Sequence, residues 1–153
     1  MRSAGIPSLH TPRATDEMAS RTAHYRALRD SLFHGIPERV PYVHVTGPTD
    51  LSKRAANNFS ACLEYIEGEA VLMALDLAGI ACSSGSACTS GSLEPSHVLT
   101  AMGVPEDLAR GSIRLTVGAD NTMEQMDYVL DTMPEIVTRL RSLAPNWPER
   151  SRA

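Results

Sequence analysis

The residues of this chain best suited to chemistry are three thiols, one lysine and a set of arginines. The thiols are Cys62, Cys82 and Cys88. Cys62 lies between Ala61 and Leu63, and Cys82 follows Ile80 and Ala81, so both read as core cysteines. Cys88 stands in the middle of Ser83-Ser84-Gly85-Ser86-Ala87-Cys88-Thr89-Ser90-Gly91-Ser92, a loop of small polar residues with little apolar surface to bury. A thiol in such a loop is placed to act as a nucleophile, because the thiolate is the reactive form and access limits it. By composition alone, an ordinary surface cysteine in a linker fits equally well.

Of the 14 basic residues, 13 are arginine, and Lys53 is the single lysine. Schiff-base chemistry within this chain therefore has one candidate. Lys53 sits in the polar stretch Gly47–Arg54, which reads as a solvated loop. Arg114 alternates with Ile113 and Leu115 and so falls on the polar side of a half-buried strand, where the pattern alone points it at solvent. His97 reads as structural. Glu67 and Glu69 read as first-turn carboxylates favoured by a helix dipole, not as a catalytic pair. No two cysteines have CxxC spacing, so no zinc site is expected. An odd count argues for free thiols over a disulfide framework.

The elements that must position these residues follow from periodicity. Met18, Ala19, Thr22, Tyr25, Leu28 and Leu32 mark one face of a helix over about 16–34, with Gly35 as its stop. Val40–Val45 and 58–65 read as strands. Residues 70–78 form a nearly all-apolar helix expected to be buried, followed by a short buried strand at Ile80–Cys82. A helix runs from Pro95 to about Met102 and stops at Gly103. Ser112–Val117 is the half-buried strand. Thr122 and Gln125 form a capping box for a last helix that reaches about Leu143, with Pro134 expected to kink it. This order predicts an α+β (α/β-like) fold, a small sheet covered by helices.

With 153 residues, one compact domain is expected. Residues 1–14 read as an irregular entry, 15–145 as the domain and 146–153 as a frayed tail. The net charge of −4, with dispersed basic residues, gives no nucleic-acid footprint. No apolar run approaches the ~20 residues of a membrane span, and no signal-peptide pattern opens the chain, so a cytoplasmic location is expected.

Several segments, in order, carry a resemblance. The run Ser83–Leu99, with its Cys88 loop, resembles the active-site cysteine segment of NifS/IscS-type cysteine desulfurases, in the group with the longer serine-rich loop. Asn57-Asn58 and Glu64-Tyr65-Ile66-Glu67-Gly68-Glu69 resemble that family's strand and helix entry. Gly111-Ser112-Ile113-Arg114-Leu115-Thr116 resembles its arginine-bearing strand, and Asn121 through Leu140 its last helix. The similarity runs from about residue 54 to 145, and more weakly back through Leu28-Arg29-Asp30.

The resemblance implies the small C-terminal domain of a fold-type-I pyridoxal-phosphate enzyme. It implies that Cys88 takes the sulfur of L-cysteine as a persulfide while L-alanine leaves, and that Arg114 holds the substrate carboxylate. It further implies delivery of sulfur to an iron–sulfur scaffold or other acceptor protein, a homodimer in the complete enzyme, and no resident metal, although Cys88 could touch an iron–sulfur cluster in passing. The family's cofactor lysine, ring-stacking histidine and ring-nitrogen aspartate belong to a large domain with no counterpart here. Where the family has Arg-Ser-Gly-Thr, this chain has Arg2-Ser3-Ala4-Gly5, without the threonine that helps hold a neighbouring subunit's cofactor phosphate. The expected function is thus that of a desulfurase fragment needing a separate pyridoxal-phosphate-binding large domain or second subunit. The alternatives are a non-catalytic sulfur-relay or interaction module and a degraded fragment.

Overall fold

The computed structural model describes residues 12–84 and 96–148, with side chains from residue 17 onward. Cys88 and most of its loop lie outside the described residues, as do residues 1–11, which make up most of the expected irregular entry.

The described elements are α1 (Pro12–Arg39), β1 (Val43–Val45), β2 (Asn58–Leu63), α2 (Gly68–Leu77), β3 (Ser83–Ser84), α3 (His97–Ala101), α4 (Glu106–Arg110), β4 (Ser112–Thr116) and α5 (Met123–Leu143). The strands form one antiparallel sheet in the order β1-β2-β4-β3. Alternation decides its two faces. Phe59, Ala61 and Leu63 of β2 and Ile113 and Leu115 of β4 are buried against α1, α2 and α5 in the main core. Asn58, Ser60 and Cys62, with Ser112, Arg114 and Thr116, point the other way.

Helix α5 follows its predicted stripe: Met126, Val129, Leu130, Met133, Ile136 and Val137 are buried. Its capping box is formed, with the Gln125 amide donating to Thr122 Oγ1 and the Thr122 amide donating to Gln125 Oε1. Pro134 lies inside it, and one continuous helix runs past it.

Several expectations are corrected. Helix α1 runs on to Arg39 because Gly35 is a packing residue, not a stop. A Cβ there would lie 2.7 Å from Leu130 Cδ1, so the missing side chain lets α1 and α5 approach closely. Helix α2 is not buried all round. Val71, Ala74 and Leu75 are buried, but Met73 and Leu77 are 67% and 88% exposed, because one side of the helix carries all its packing. The short strand expected at Ile80–Cys82 forms instead at Ser83–Ser84. The five-residue helix α4 had no sequence expectation.

Strands β1 and β2 are both shorter than their apolar runs. Tyr42 and Tyr65 adopt left-handed backbone, φ 55° and 68°, which ends the extended chain on either side of them. Such positions cost about 1–3 kcal/mol each and need a compensating framework. The buried Arg141 supplies it. Its guanidinium donates to the carbonyls of Pro41 (2.7 Å), Tyr42 (3.1 Å) and Glu64 (3.1 Å). It also lies over the rings of Tyr42 and Trp147, which pack edge-on against Tyr65 and each other. Trp147, near the start of the segment expected to fray, packs in this cluster, and residues 149–153 lie outside the described residues.

Candidate active site

The polar face of the sheet has two halves. Over one half, Leu99 of α3 and Ala109 of α4 are buried together with Cys62 in a satellite cluster. Cys62 is fully buried, and loss of hydration pushes its thiol up to about 11. Ser112, its register partner on β4, is also buried. Both read as core residues, as the sequence implies for Cys62.

The other half is open. Arg114 is exposed on β4, an inner strand of the sheet, two residues along the same face from Ser112. Its ladder partners are Ser60 on β2 and Ser83 on β3. Directly paired residues share a face, with Cβ atoms about 5 Å apart. Arg114 therefore stands between two small hydroxyl residues. Among the described residues its side chain has no ion pair or hydrogen bond. An unpaired guanidinium on rigid backbone can receive a carboxylate bidentately.

The row extends onto the continuation of β1. The Thr46 amide donates to the Ser60 carbonyl (3.0 Å), and Thr46 Oγ1 lies 2.8 Å from Ser60 Oγ. Arg54 fixes Thr46 from behind, its Nη1 donating to the carbonyls of Thr46 (2.7 Å) and Pro48 (2.8 Å) while its guanidinium stacks on Phe33. The buried Arg29 donates to the carbonyls of Leu51 (3.3 Å) and Ala55 (3.0 Å), tying down the same connection.

The other predicted chemistry residues are spread apart. Cys82 is half-buried against the main core, and burial, helped by the Asp76 charge, pushes its thiol up. It sits next to Ser83, so the strand beside Arg114 leads straight into the segment that contains Cys88. Lys53 lies in the short 3-10 turn Leu51–Lys53. Its side chain is 72% exposed and pairs with Asp50 at 3.5 Å. His97 is exposed on α3. Glu67 occupies the N-cap of α2 without a side-chain capping bond, and Glu69 lies in its first turn. Among the described residues, no group of three or more His, Cys, Asp or Glu could hold a metal ion, and no helix is long and apolar enough to cross a membrane.

Sequence reasoning missed Ser60, Thr46 and Arg54. The available signal was the alternation Asn58, Ser60, Cys62 against Phe59, Ala61, Leu63, which marks Ser60 as facing away from the core. Nothing in the alternation says which residue on β4 it meets.

Residues 14–129 match the family model for aminotransferase class-V. The chain belongs to that family. A cysteine desulfurase IscS of Clostridium botulinum is 44% identical over 136 residues, which cover 89% of this chain and 34% of that protein. A cysteine desulfurase NifS of Azotobacter vinelandii is 47% identical over 135 residues, covering 88% of this chain and 33% of that protein. A solved NifS-like protein superposes with a TM-score of 0.70 at 30% identity, over 84% of this chain and 31% of that structure. The chain thus spans about a third of the length of the curated relatives it matches. The α+β fold is that of the small domain of fold-type-I pyridoxal-phosphate enzymes.

Proposed function

We propose that this chain supplies the sulfur-accepting and carboxylate-binding part of a cysteine desulfurase, in a domain spanning about residues 15–145. The Cys88 thiolate takes the sulfur of L-cysteine as a persulfide, and L-alanine is the other product. Arg114 anchors the substrate carboxylate, which orients the sulfur towards the nucleophile. The observation that carries this reading is the position of Arg114: exposed, without an ion pair or hydrogen bond to its side chain among the described residues, and in register with Ser83, five residues before Cys88. A small-residue segment starting there has the reach to bring a thiol to a substrate held by Arg114, and then to a sulfur acceptor such as an iron–sulfur scaffold protein.

The pyridoxal phosphate of the complete enzyme supplies the electron sink that loosens the substrate's bond to sulfur. The lysine here does not fit as its anchor. A Schiff-base lysine is desolvated or otherwise activated, whereas Lys53 is exposed and paired with a carboxylate. In this proposal a large domain outside this sequence holds the cofactor, in a cytoplasmic homodimer.

The test mixes the chain with a polypeptide carrying the cofactor-binding domain and measures alanine release and persulfide by mass spectrometry. Alanine and a persulfide on Cys88 are expected, and Cys88→Ser should abolish both while leaving the partner's cofactor spectrum intact. Wild-type turnover by the Cys88→Ser assembly would end the reading.

A further inference from the structure

We infer that Ser60 is a second substrate-carboxylate ligand, held ready by Thr46, and that the two hydroxyls and Arg114 together form the α-carboxylate subsite. The inference rests on the function proposed above and adds residues to it. Thr46 Oγ1 and Ser60 Oγ are 2.8 Å apart, so one of their two hydroxyl protons lies between them. The other proton has no acceptor among the described residues.

The ladder neighbour of Ser60 is Arg114, whose guanidinium has only donors to offer. The Ser60 hydroxyl and the Arg114 guanidinium thus stand side by side on one face, and among the described residues neither donates to a protein acceptor. An ionised carboxylate has two oxygens and about four lone-pair sites, so it can accept from a guanidinium and a hydroxyl together.

The pair is also preorganised. Thr46 is fixed through its amide by the Ser60 carbonyl and through its carbonyl by Arg54. Arg54 holds this geometry although its own Nε is buried with no hydrogen-bond partner among the described residues. The β-branch of Thr46 and its strand-like pairing limit the hydroxyl to few rotamers. Little ordering cost is then left for the ligand to bear. Ser83, on the opposite side of Arg114, is small and half-buried.

The experiment measures KM and kcat for L-cysteine on the complemented assembly, and binding of L-alanine to the isolated full chain by NMR titration of the Ser60 and Arg114 amides. Ser60→Ala should raise KM roughly tenfold, the worth of one hydrogen bond to a charged acceptor, with kcat unchanged. Ser60→Thr should restore it, since the hydroxyl returns. Thr46→Val should raise KM by a smaller factor, because it removes the orienting partner and leaves the ligand. In the titration, Ser60→Ala should weaken L-alanine binding by a similar factor. If Arg114→Ala raises KM and Ser60→Ala does not, the inference falls and the proposed function stands. If Arg114→Ala leaves KM and L-alanine binding unchanged, the carboxylate assignment falls, and this inference with it.

Discussion

Cys62 and Arg114 lie on the same face of the same two-stranded ladder, two register positions apart, and have opposite fates. Cys62 pairs with Ser112, and Ser60, two residues before Cys62, pairs with Arg114. Over Cys62 and Ser112 the short helices α3 and α4 bring Leu99 and Ala109. Over Ser60 and Arg114 the described residues place nothing that pairs with the guanidinium. Cover removes hydration, so the covered thiol is held protonated and inert, while the uncovered cation stays available to a ligand. The reactivity of a polar residue on this sheet is thus decided by what lies above it, not by its strand or its type.

The covered half should be the more fragile. Gly111 crosses β2 so closely that a Cβ would lie 2.0 Å from the Leu63 carbonyl oxygen, a backbone atom that cannot swing aside. Gly111→Ala is expected to cost about 3 kcal/mol or more in denaturant unfolding, since the strands must separate. A loss under 1 kcal/mol would show that this crossing yields easily.

The inert thiol should report itself in alkali. The Cys62 pKa is raised from 9.0 to about 11 in the folded chain. A raised folded pKa means the stabilisation is fully present below the unfolded value and is lost as pH rises through the folded one. Stability should therefore fall between about pH 9 and pH 11, by up to about 3 kcal/mol from this group. Cys82 and Tyr65 are shifted the same way and add to the fall. Cys62→Ala should flatten the slope in that window. An unchanged slope would show that Cys62 is hydrated in the folded chain.

Arg114 should matter least to stability. It is exposed and has no ion pair or hydrogen bond to its side chain among the described residues, so Arg114→Ala is expected to change unfolding free energy by no more than about 0.5 kcal/mol. A loss above 1 kcal/mol would mean that the guanidinium has a structural partner, and the contrast between the two halves would weaken accordingly.

Much of this was legible in the residues. The alternation through Ser112–Thr116 placed Arg114 opposite the core, the apolar neighbours of Cys62 marked it as buried, and Thr122 with Gln125 announced the start of α5. These features are local, set by period and by side chains within a turn of each other. Gly35 shows where local reading fails: alone it looks like a helix stop, and only the approach of Leu130, 95 residues later, makes it an interior packing residue. Arg141 falls beside an apolar stripe, and its burial depends on three carbonyls from residues 77 to 100 positions away. Local sequence thus determined the existence of β1, β2 and β4, the final helix and the chemical types available to this protein. Tertiary structure decided which serines stand beside Arg114, which thiol is covered and which glycine is a contact, because burial and pairing are properties of neighbours distant in the chain.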